Sequence, residues 1–124
     1  MTVTIDIWPS CSDWNDDDSK DPNARINLKS WGKIRVAILS TPTFNAPGSV
    51  DMHSLTFGHT GDEKSLGYCE VYRRDVNHDR LPDLVCHFYT QKTKFQKTDT
   101  LGLLKGKLRN GKAIQGSEGI RIVH

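Results

Sequence analysis

The stretch Asp75-Val-Asn-His-Asp-Arg-Leu-Pro-Asp83 carries oxygen-bearing side chains at alternate positions, and apolar runs lie on both sides of it. In a tightly looping backbone, side chains two residues apart can turn toward a common centre, where carboxylates repel one another unless a hard cation joins them. We therefore expect one calcium ion, which takes roughly six to eight oxygen ligands. The expected ligands are Asp75, Asn77, Asp79, the Leu81 carbonyl and Asp83, with water or a distant carboxylate completing the set.

The stretch differs from the calcium loop of an EF-hand, which needs glycine at its sixth position and a bidentate glutamate at its twelfth. Counted from Asp75, those positions hold Arg80 and Cys86. Cys86 lies within the apolar run 84–89, which is typical of a strand. A helix-loop-helix is therefore not expected, and an acidic surface turn without a metal is the alternative to calcium.

Short periodic apolar runs, separated by glycine and proline, continue along the whole chain, and none has helical spacing. The sequence Arg109-Asn-Gly-Lys112 predicts a hairpin with a two-residue turn, because Asn-Gly favours the positive φ angles that such a turn needs. The runs predict an all-β fold, a single immunoglobulin-like β-sandwich of about seven or eight strands. The expected strands are 3–7, 34–39, 55–57, 68–73, 84–89, 101–108, 113–115 and 120–123.

Length and composition indicate one globular domain covering residues 1–124. The mean hydropathy is −0.57, and no apolar run approaches the ~20 residues of a membrane helix. The opening Met1-Thr-Val-Thr-Ile-Asp lacks the basic start and apolar stretch of a signal peptide. Two interpretations stay open: a protein that remains inside the cell, or a module cut from a longer exported chain.

The net charge of +2 is unevenly distributed, because residues 1–24 carry six Asp against one Lys. Residues 12–22 are polar and rich in turn formers, which predicts a long loop. The basic residues of 92–109 are expected to form a solvated face, since Phe95 is the one aromatic residue among them that could stack on a base. We therefore expect no nucleic-acid partner.

The sequence offers little support for catalysis. None of the five histidines lies two or four residues from another, and none is near a serine in a nucleophile-elbow pattern. Asp62 and Glu63 are adjacent, so in a strand they would point to opposite faces rather than across a cleft. We expect a protein that is not an enzyme.

Several stretches together resemble a calcium-binding β-sandwich accessory module of exported bacterial proteins. In that family the opening reads I-D-I-K-P-G-S and the loop reads D-V-N-G-D-G-x-x-D-L-V. The resemblance covers nearly the whole chain and implies a module without established activity, located outside the cell or at its surface. It is carried by Ile5-Asp-Ile7, Asp21-Pro-Asn23, Ile26-Asn-Leu-Lys-Ser30, Val36-Ala-Ile-Leu39, Phe57-Gly-His-Thr-Gly61, the acidic loop with Asp83-Leu-Val-Cys-His-Phe88, Ile114-Gln-Gly-Ser117 and Ile120-Arg-Ile-Val123.

The resemblance also implies roles for particular residues. Thr60-Gly-Asp-Glu63 matches the T-G-x-E element of the family, which makes Glu63 the candidate for the missing carboxylate ligand. Cys69 and Cys86, on strands either side of the acidic loop, resemble paired cysteines of the family and are expected to form a disulfide. Cys11 would then be free or pair between chains, and three reduced thiols are the alternative if the protein is cytosolic.

The chain departs from the family pattern at several positions. His78 and Arg80 replace glycines of the loop, Trp8 and Trp31 stand where lysine is common, and 11–20 resembles an insertion. The two replaced glycines are expected to strain the loop and weaken metal binding.

The three tryptophans, Trp8, Trp14 and Trp31, lie among polar residues, and indole rings bury the C–H faces of sugars well. We expect them to gather at one end of the sandwich, with Trp14 the most exposed and Trp31 beside it, and to contact a polysaccharide or cell-surface glycan. The alternative is that they are packed as anchors. The expected function is therefore a non-catalytic extracellular accessory module that binds calcium and glycan and adjoins other domains of a longer chain. A purely structural spacer or adhesion module without sugar binding is the alternative.

Overall fold

A computed structural model of the chain describes residues 1–8, 24–70, 75–76 and 79–123. The expected insertion at 11–20, with Cys11 and Trp14, lies outside the described residues, as do Asn77 and His78. Within the described ranges, no helix has the length and apolar character needed to cross a membrane.

The described residues form two four-stranded sheets, which confirms the predicted all-β sandwich. The first sheet has the strand order β1-β3-β6-β5 and the second the order β2-β8-β7-β4. Beside the strands, the described part of the chain contains one short helix, α1 (Ala46–Ser49), and one 3-10 turn (Thr90–Lys92). The strands are β1 (Ile5–Trp8), β2 (Ala24–Asn27), β3 (Lys33–Ile38), β4 (Val50–Gly58), β5 (Leu66–Cys69), β6 (Leu84–Tyr89), β7 (Leu101–Leu108) and β8 (Ala113–Val123).

The core lies between the sheets and follows from the alternation of apolar residues along each strand. In β3 and β6 every second side chain points inward, and these side chains are buried: Ile34, Val36, Ile38, Leu84, Cys86 and Phe88. From the second sheet, Phe57 packs against Phe88 with ring centroids 5.1 Å apart, and against Phe95 at 5.6 Å. These aromatic contacts join the two sheets at the centre of the sandwich.

The N-terminal segment passes from the second sheet to the first. Thr2 forms a parallel bridge with Gln115 of β8, whereas Ile5 pairs with Ile38 of β3. Close approach to β8 requires Gly116, since a Cβ at that position would lie 2.8 Å from the carbonyl oxygen of Val3. The first residues therefore tie the two sheets together along one side.

Glu118 of β8 also connects the sheets, because its Oε2 accepts a hydrogen bond of 2.6 Å from the backbone N–H of Ile7 in β1. Burial and, to a smaller extent, the negative charge of Asp6 raise the pKa of Glu118 to about 7, although the hydrogen bond from the Ile7 N–H acts in the opposite direction. This carboxyl group is therefore largely neutral in mildly acidic solution.

Two strands are longer than predicted. β4 begins at Val50 rather than residue 55, because Val50 and Asp51 pair with Leu108 and Lys107 before a register shift. The runs 113–115 and 120–123 belong to one continuous strand, β8, whose residues 113–119 pair with β7. The glycines between the runs do not end the strand, because Gly116 and Gly119 stay paired with Leu104 and Leu101 of β7.

The hairpin between β7 and β8 is confirmed, but its turn is not the two-residue turn that was predicted. Gly111 has a φ of 89°, whereas Asn110 does not have a positive φ. Leu108 accepts a hydrogen bond from the Gly111 N–H and donates its own N–H to the Lys112 carbonyl, both at 2.8 Å. The connection is thus three residues long, in the pattern of an ordinary turn followed by a left-handed glycine.

Candidate metal centre

The acidic loop connects β5 to β6, which are antiparallel neighbours in the first sheet. Cys69 and Cys86 lie directly opposite each other in these strands and form a disulfide across a separation of 17 residues. The disulfide expected from the family resemblance is therefore confirmed. It closes the base of the loop at the point where the chain leaves and re-enters the sheet.

Three carboxylates of the loop converge. Asp75, Asp79 and Asp83 each offer an oxygen, and these oxygens lie within 4.8 Å of one another. The alternating spacing in the sequence thus brings together the carboxylates from which calcium was predicted. Asn77, the expected amide ligand, lies outside the described residues.

Asp83 holds the cluster to the body of the sandwich. Its side chain is buried, with 1 % of the residue exposed. Oδ1 accepts a hydrogen bond of 2.8 Å from the Ser40 N–H, and Oδ2 accepts one of 3.0 Å from the Val76 N–H. Ser40 follows β3, so Asp83 links the loop to the connection between β3 and β4.

Ser40 is a structural residue of the site that sequence reasoning missed. Its hydroxyl donates to the Pro82 carbonyl at 2.6 Å and accepts from the Ala46 N–H at 2.9 Å. It lies 43 residues before Asp83, and a single serine after an apolar strand carries no signal of this role. Only the pairing of β3 with β6 brings the two residues together.

Asp75 and Asp79 are oriented by backbone N–H groups of the loop itself. Asp75 accepts from the N–H groups of Asp79 and Arg80, at 3.2 and 2.7 Å. Asp79 accepts from the Leu81 N–H at 2.9 Å. These bonds point the carboxylates inward, while the role of the Leu81 carbonyl as a ligand stays a prediction.

Arg80 has a left-handed backbone with a φ of 69°. Its position is the one that glycine occupies in the family loop and in the EF-hand loop. A residue with a Cβ is disfavoured there by roughly 1–2 kcal/mol. The loop therefore adopts the turn that glycine would favour, with the strain expected at this position.

The electrostatics of the cluster favour a cation. Burial raises the pKa of Asp83, and the negative charges of Asp79 and Asp75 raise it further, while the N–H groups of Ser40 and Val76 act in the opposite direction. A bound cation would remove the repulsion that Asp75 and Asp79 exert on Asp83. The three carboxylates form an all-oxygen donor set that could hold a metal ion.

Glu63 does not join this cluster, so the expectation that it supplies the missing ligand is wrong. Its carboxylate closes the turn before β5, where it accepts hydrogen bonds from the Thr60 N–H and hydroxyl and from the Gly61 N–H. Burial raises its pKa, but these hydrogen bonds lower it, and the net shift is downward.

The position of Glu63 explains the separation. Ser65, two residues after Glu63, accepts a hydrogen bond through its carbonyl from the N–H of Tyr89, the last residue of β6. Asp83, by contrast, directly precedes Leu84, the first residue of β6. The length of β6 thus puts about 20 Å between the two sites. The T-G-x-E match therefore identifies a turn rather than a ligand.

The tryptophans are only partly described. Trp31 is 87 % exposed, in the connection between β2 and β3. Trp8 ends β1 opposite Arg35, which places its backbone toward the same end of the first sheet. Trp14 lies outside the described residues, so its predicted exposure stays a prediction.

In comparisons with known proteins, the chain matched no family model, no curated protein and no solved structure. The resemblance to the exported accessory module therefore remains a prediction, carried by the motifs of the sequence. The geometry of the acidic loop is observed in this chain and does not depend on the resemblance.

Proposed function

We propose that this chain is a non-catalytic β-sandwich module, stabilised by calcium, that serves as an accessory to an exported protein. The observation that supports calcium most directly is the convergence of Asp75, Asp79 and Asp83 in a loop closed by a disulfide. Magnesium demands near-ideal octahedral geometry, whereas calcium accepts carboxylates in irregular arrangements. A loop of this kind suits the larger ion.

Calcium would act as a structural clamp. Asp83 is fixed to Ser40, so an ion shared by the three carboxylates would attach the tip of the loop to the connection between β3 and β4. The charge of the ion would also offset the repulsion within the cluster. Its contribution is therefore to stability rather than to chemistry.

An extracellular or cell-surface location fits both features of the loop. Disulfides persist in oxidising compartments, and extracellular calcium modules bind with dissociation constants of about 10⁻⁴ to 10⁻³ M. A strained position at Arg80 is compatible with such weak binding.

Calorimetric titration of metal-free protein tests the proposal. Binding of one calcium ion is expected, and calcium at a hundred times its dissociation constant should add about 2.7 kcal/mol to the free energy of unfolding. Asp79→Asn should abolish this gain, because it removes a charge but keeps an oxygen that can accept from the Leu81 N–H.

Asp62→Asn is the matched control, since Asp62 is exposed and contacts Lys105 away from the cluster. The control should respond to calcium as the wild type does. No heat at millimolar calcium, together with a melting temperature indifferent to chelator, would contradict the proposal.

Glycan binding is a second candidate function, and the exposure of Trp31 favours it. An exposed indole can cover the C–H face of a sugar ring. If the protein bound no polysaccharide, it would instead be a spacer or adhesion module that positions neighbouring domains.

A further inference from the structure

Two exposed tyrosines lie on the outer surface of the first sheet. Tyr68 of β5 is 51 % exposed and Tyr89 of β6 is 38 % exposed. We call the surface formed by Tyr68, Tyr89, Lys33, His87 and Lys92 the tyrosine face. It contains none of the three carboxylates of the acidic cluster.

The strand register creates this surface. Lys33 pairs with Tyr89, and Tyr68 pairs with His87, so these side chains lie on the face opposite the buried Ile34 and Phe88. Tyr68 and Tyr89 are diagonal neighbours on adjacent strands, roughly 7–8 Å apart at their backbones. Adjacent sugar units of one chain can lie across such a pair.

The ring of Tyr68 is held in place. It stacks on the imidazole of His87, with centroids 4.4 Å apart and an interplanar angle of 12°. The Nε2 atom of His87 lies 2.8 Å from Oε2 of Glu70, which orients the imidazole in turn. A ring that is ordered before binding loses less conformational entropy when a ligand covers it.

Positive charge lies beside both rings. The Nζ atom of Lys33 is 5.7 Å from the ring centroid of Tyr68 and 5.3 Å from that of Tyr89. Lys92 places its Nζ atom 5.2 Å from the ring centroid of Tyr89. Glu70 contacts His87, and the two ammonium groups beside the rings are positive charges that a ligand on this face would meet.

We propose that the tyrosine face binds an acidic polysaccharide whose pyranose rings carry carboxylates. The C–H faces of the sugars stack on Tyr68 and Tyr89, and the carboxylates contact Lys33 and Lys92. Trp31 lies two residues before Lys33 and can extend the surface at the same end of the sheet. The inference deepens the proposed glycan-binding function and rests on it, while it places the principal contacts on the sheet instead of on the tryptophans.

Nucleic acid fits this face less well. Its affinity depends on the number of phosphates that basic side chains neutralise, and among the described residues two lysines, Lys33 and Lys92, lie beside the rings. An oligonucleotide is therefore included as a competing ligand in the test.

Affinity electrophoresis in gels without free calcium, which would crosslink some of the polymers, tests the inference. The gels contain alginate, polygalacturonate, hyaluronan, neutral hydroxyethylcellulose or single-stranded DNA. Retardation is expected with at least one of the three uronate-containing polysaccharides, called polyuronates here, and not with the neutral polymer. Tyr68→Ala and Tyr89→Ala should each weaken it by about tenfold, whereas Tyr68→Phe, which keeps the ring, should retain it.

Matched controls lie on the other sheet. These controls are Lys107→Ala and Leu101→Ala, at exposed positions of β7, and they should leave retardation unchanged. On the tyrosine face itself, Lys92→Ala should weaken it. Circular dichroism and melting temperature verify that each variant is folded. Equal binding by the tyrosine variants and the wild type would overturn the inference, as would stronger retardation by DNA or no retardation by any polyuronate.

The outcome is separable from that of the calcium proposal. A protein that calcium stabilises but that no polyuronate retards keeps the clamp and loses the tyrosine face. A protein that is retarded through Tyr68 and Tyr89 but gains no stability from calcium keeps the tyrosine face and loses the clamp.

Discussion

The two ends of β6 differ in how their polar and aromatic side chains are held. At the end that follows Asp83, three like charges converge and are oriented by backbone N–H groups. At the end that contains Tyr89, rings and cations lie exposed on the outer surface and contact one another across strands. At the first end the carboxylates repel one another, and a cation would relieve that repulsion. At the second end the rings and cations already stabilise one another, so a ligand is not needed to hold them in place. We therefore infer a stabilising site at one end and a recognition surface at the other.

Removal of the disulfide should have the largest effect on stability and should affect the acidic end of β6 more than the tyrosine end. Replacing both Cys69 and Cys86 with alanine is expected to lower the free energy of unfolding by roughly 3 kcal/mol in the chain-entropy model, since the bridge spans a separation of 17 residues. Calcium affinity should fall as well, because the base of the loop opens.

Urea denaturation and calcium titration measure the two effects. Binding to the polyuronate gels should change less than calcium binding does in the same variant. If calcium affinity were unaffected while glycan binding disappeared, the assignment of the disulfide to the acidic end would be contradicted.

The titration of Glu118, at the junction of the two sheets, should have a smaller effect on the free energy of unfolding. Its pKa of about 7 lies above the ordinary value of 4.5. The folded state therefore binds the proton more tightly, so the stabilisation is fully present below about pH 4.5 and is lost as the pH rises through about 7. After allowance for solvent screening, the loss is about 1 kcal/mol.

Glu118→Gln should flatten the dependence of stability on pH between 5 and 8, roughly the range of this titration. Urea denaturation at several pH values, in chelator so that the acidic loop binds no calcium, measures it. A slope in the variant as steep as in the wild type would show that another group causes the dependence.

The smallest expected effect concerns the left-handed residues. Arg80→Gly should remove the strain of the loop while adding chain entropy to the unfolded state, for a net gain of about 0.5 kcal/mol. Calcium affinity should also rise, since the loop would adopt its turn more readily.

Lys94→Gly is the matched control, because Lys94 has a φ of 60° and lies outside the acidic loop. Its thermal stability should increase by a similar amount, with calcium affinity unchanged. Equal changes in calcium affinity for both variants would argue against a specific role of Arg80 in the loop.

Local patterns in the sequence were sufficient where neighbouring residues carry the information. The alternation of apolar residues predicted β6 and β7 with the bounds that the structure shows. The spacing of Asp75, Asp79 and Asp83 likewise predicted that their carboxylates converge. Local patterns failed for the hairpin turn, because a three-residue connection uses the same Asn-Gly pair with Asn110 in an ordinary conformation.

The sequence by itself determined the all-β class and the acidic loop, because strand alternation and ligand spacing are properties of short segments. The disulfide was expected from the resemblance to the exported module. Only the tertiary structure decided which distant residues complete each site. It brought Ser40 to Asp83 and carried Glu63 to the far end of β6. It also placed Tyr68 on His87. Such contacts depend on which strands pair and in which register, and this choice is made by the whole core rather than by any one segment.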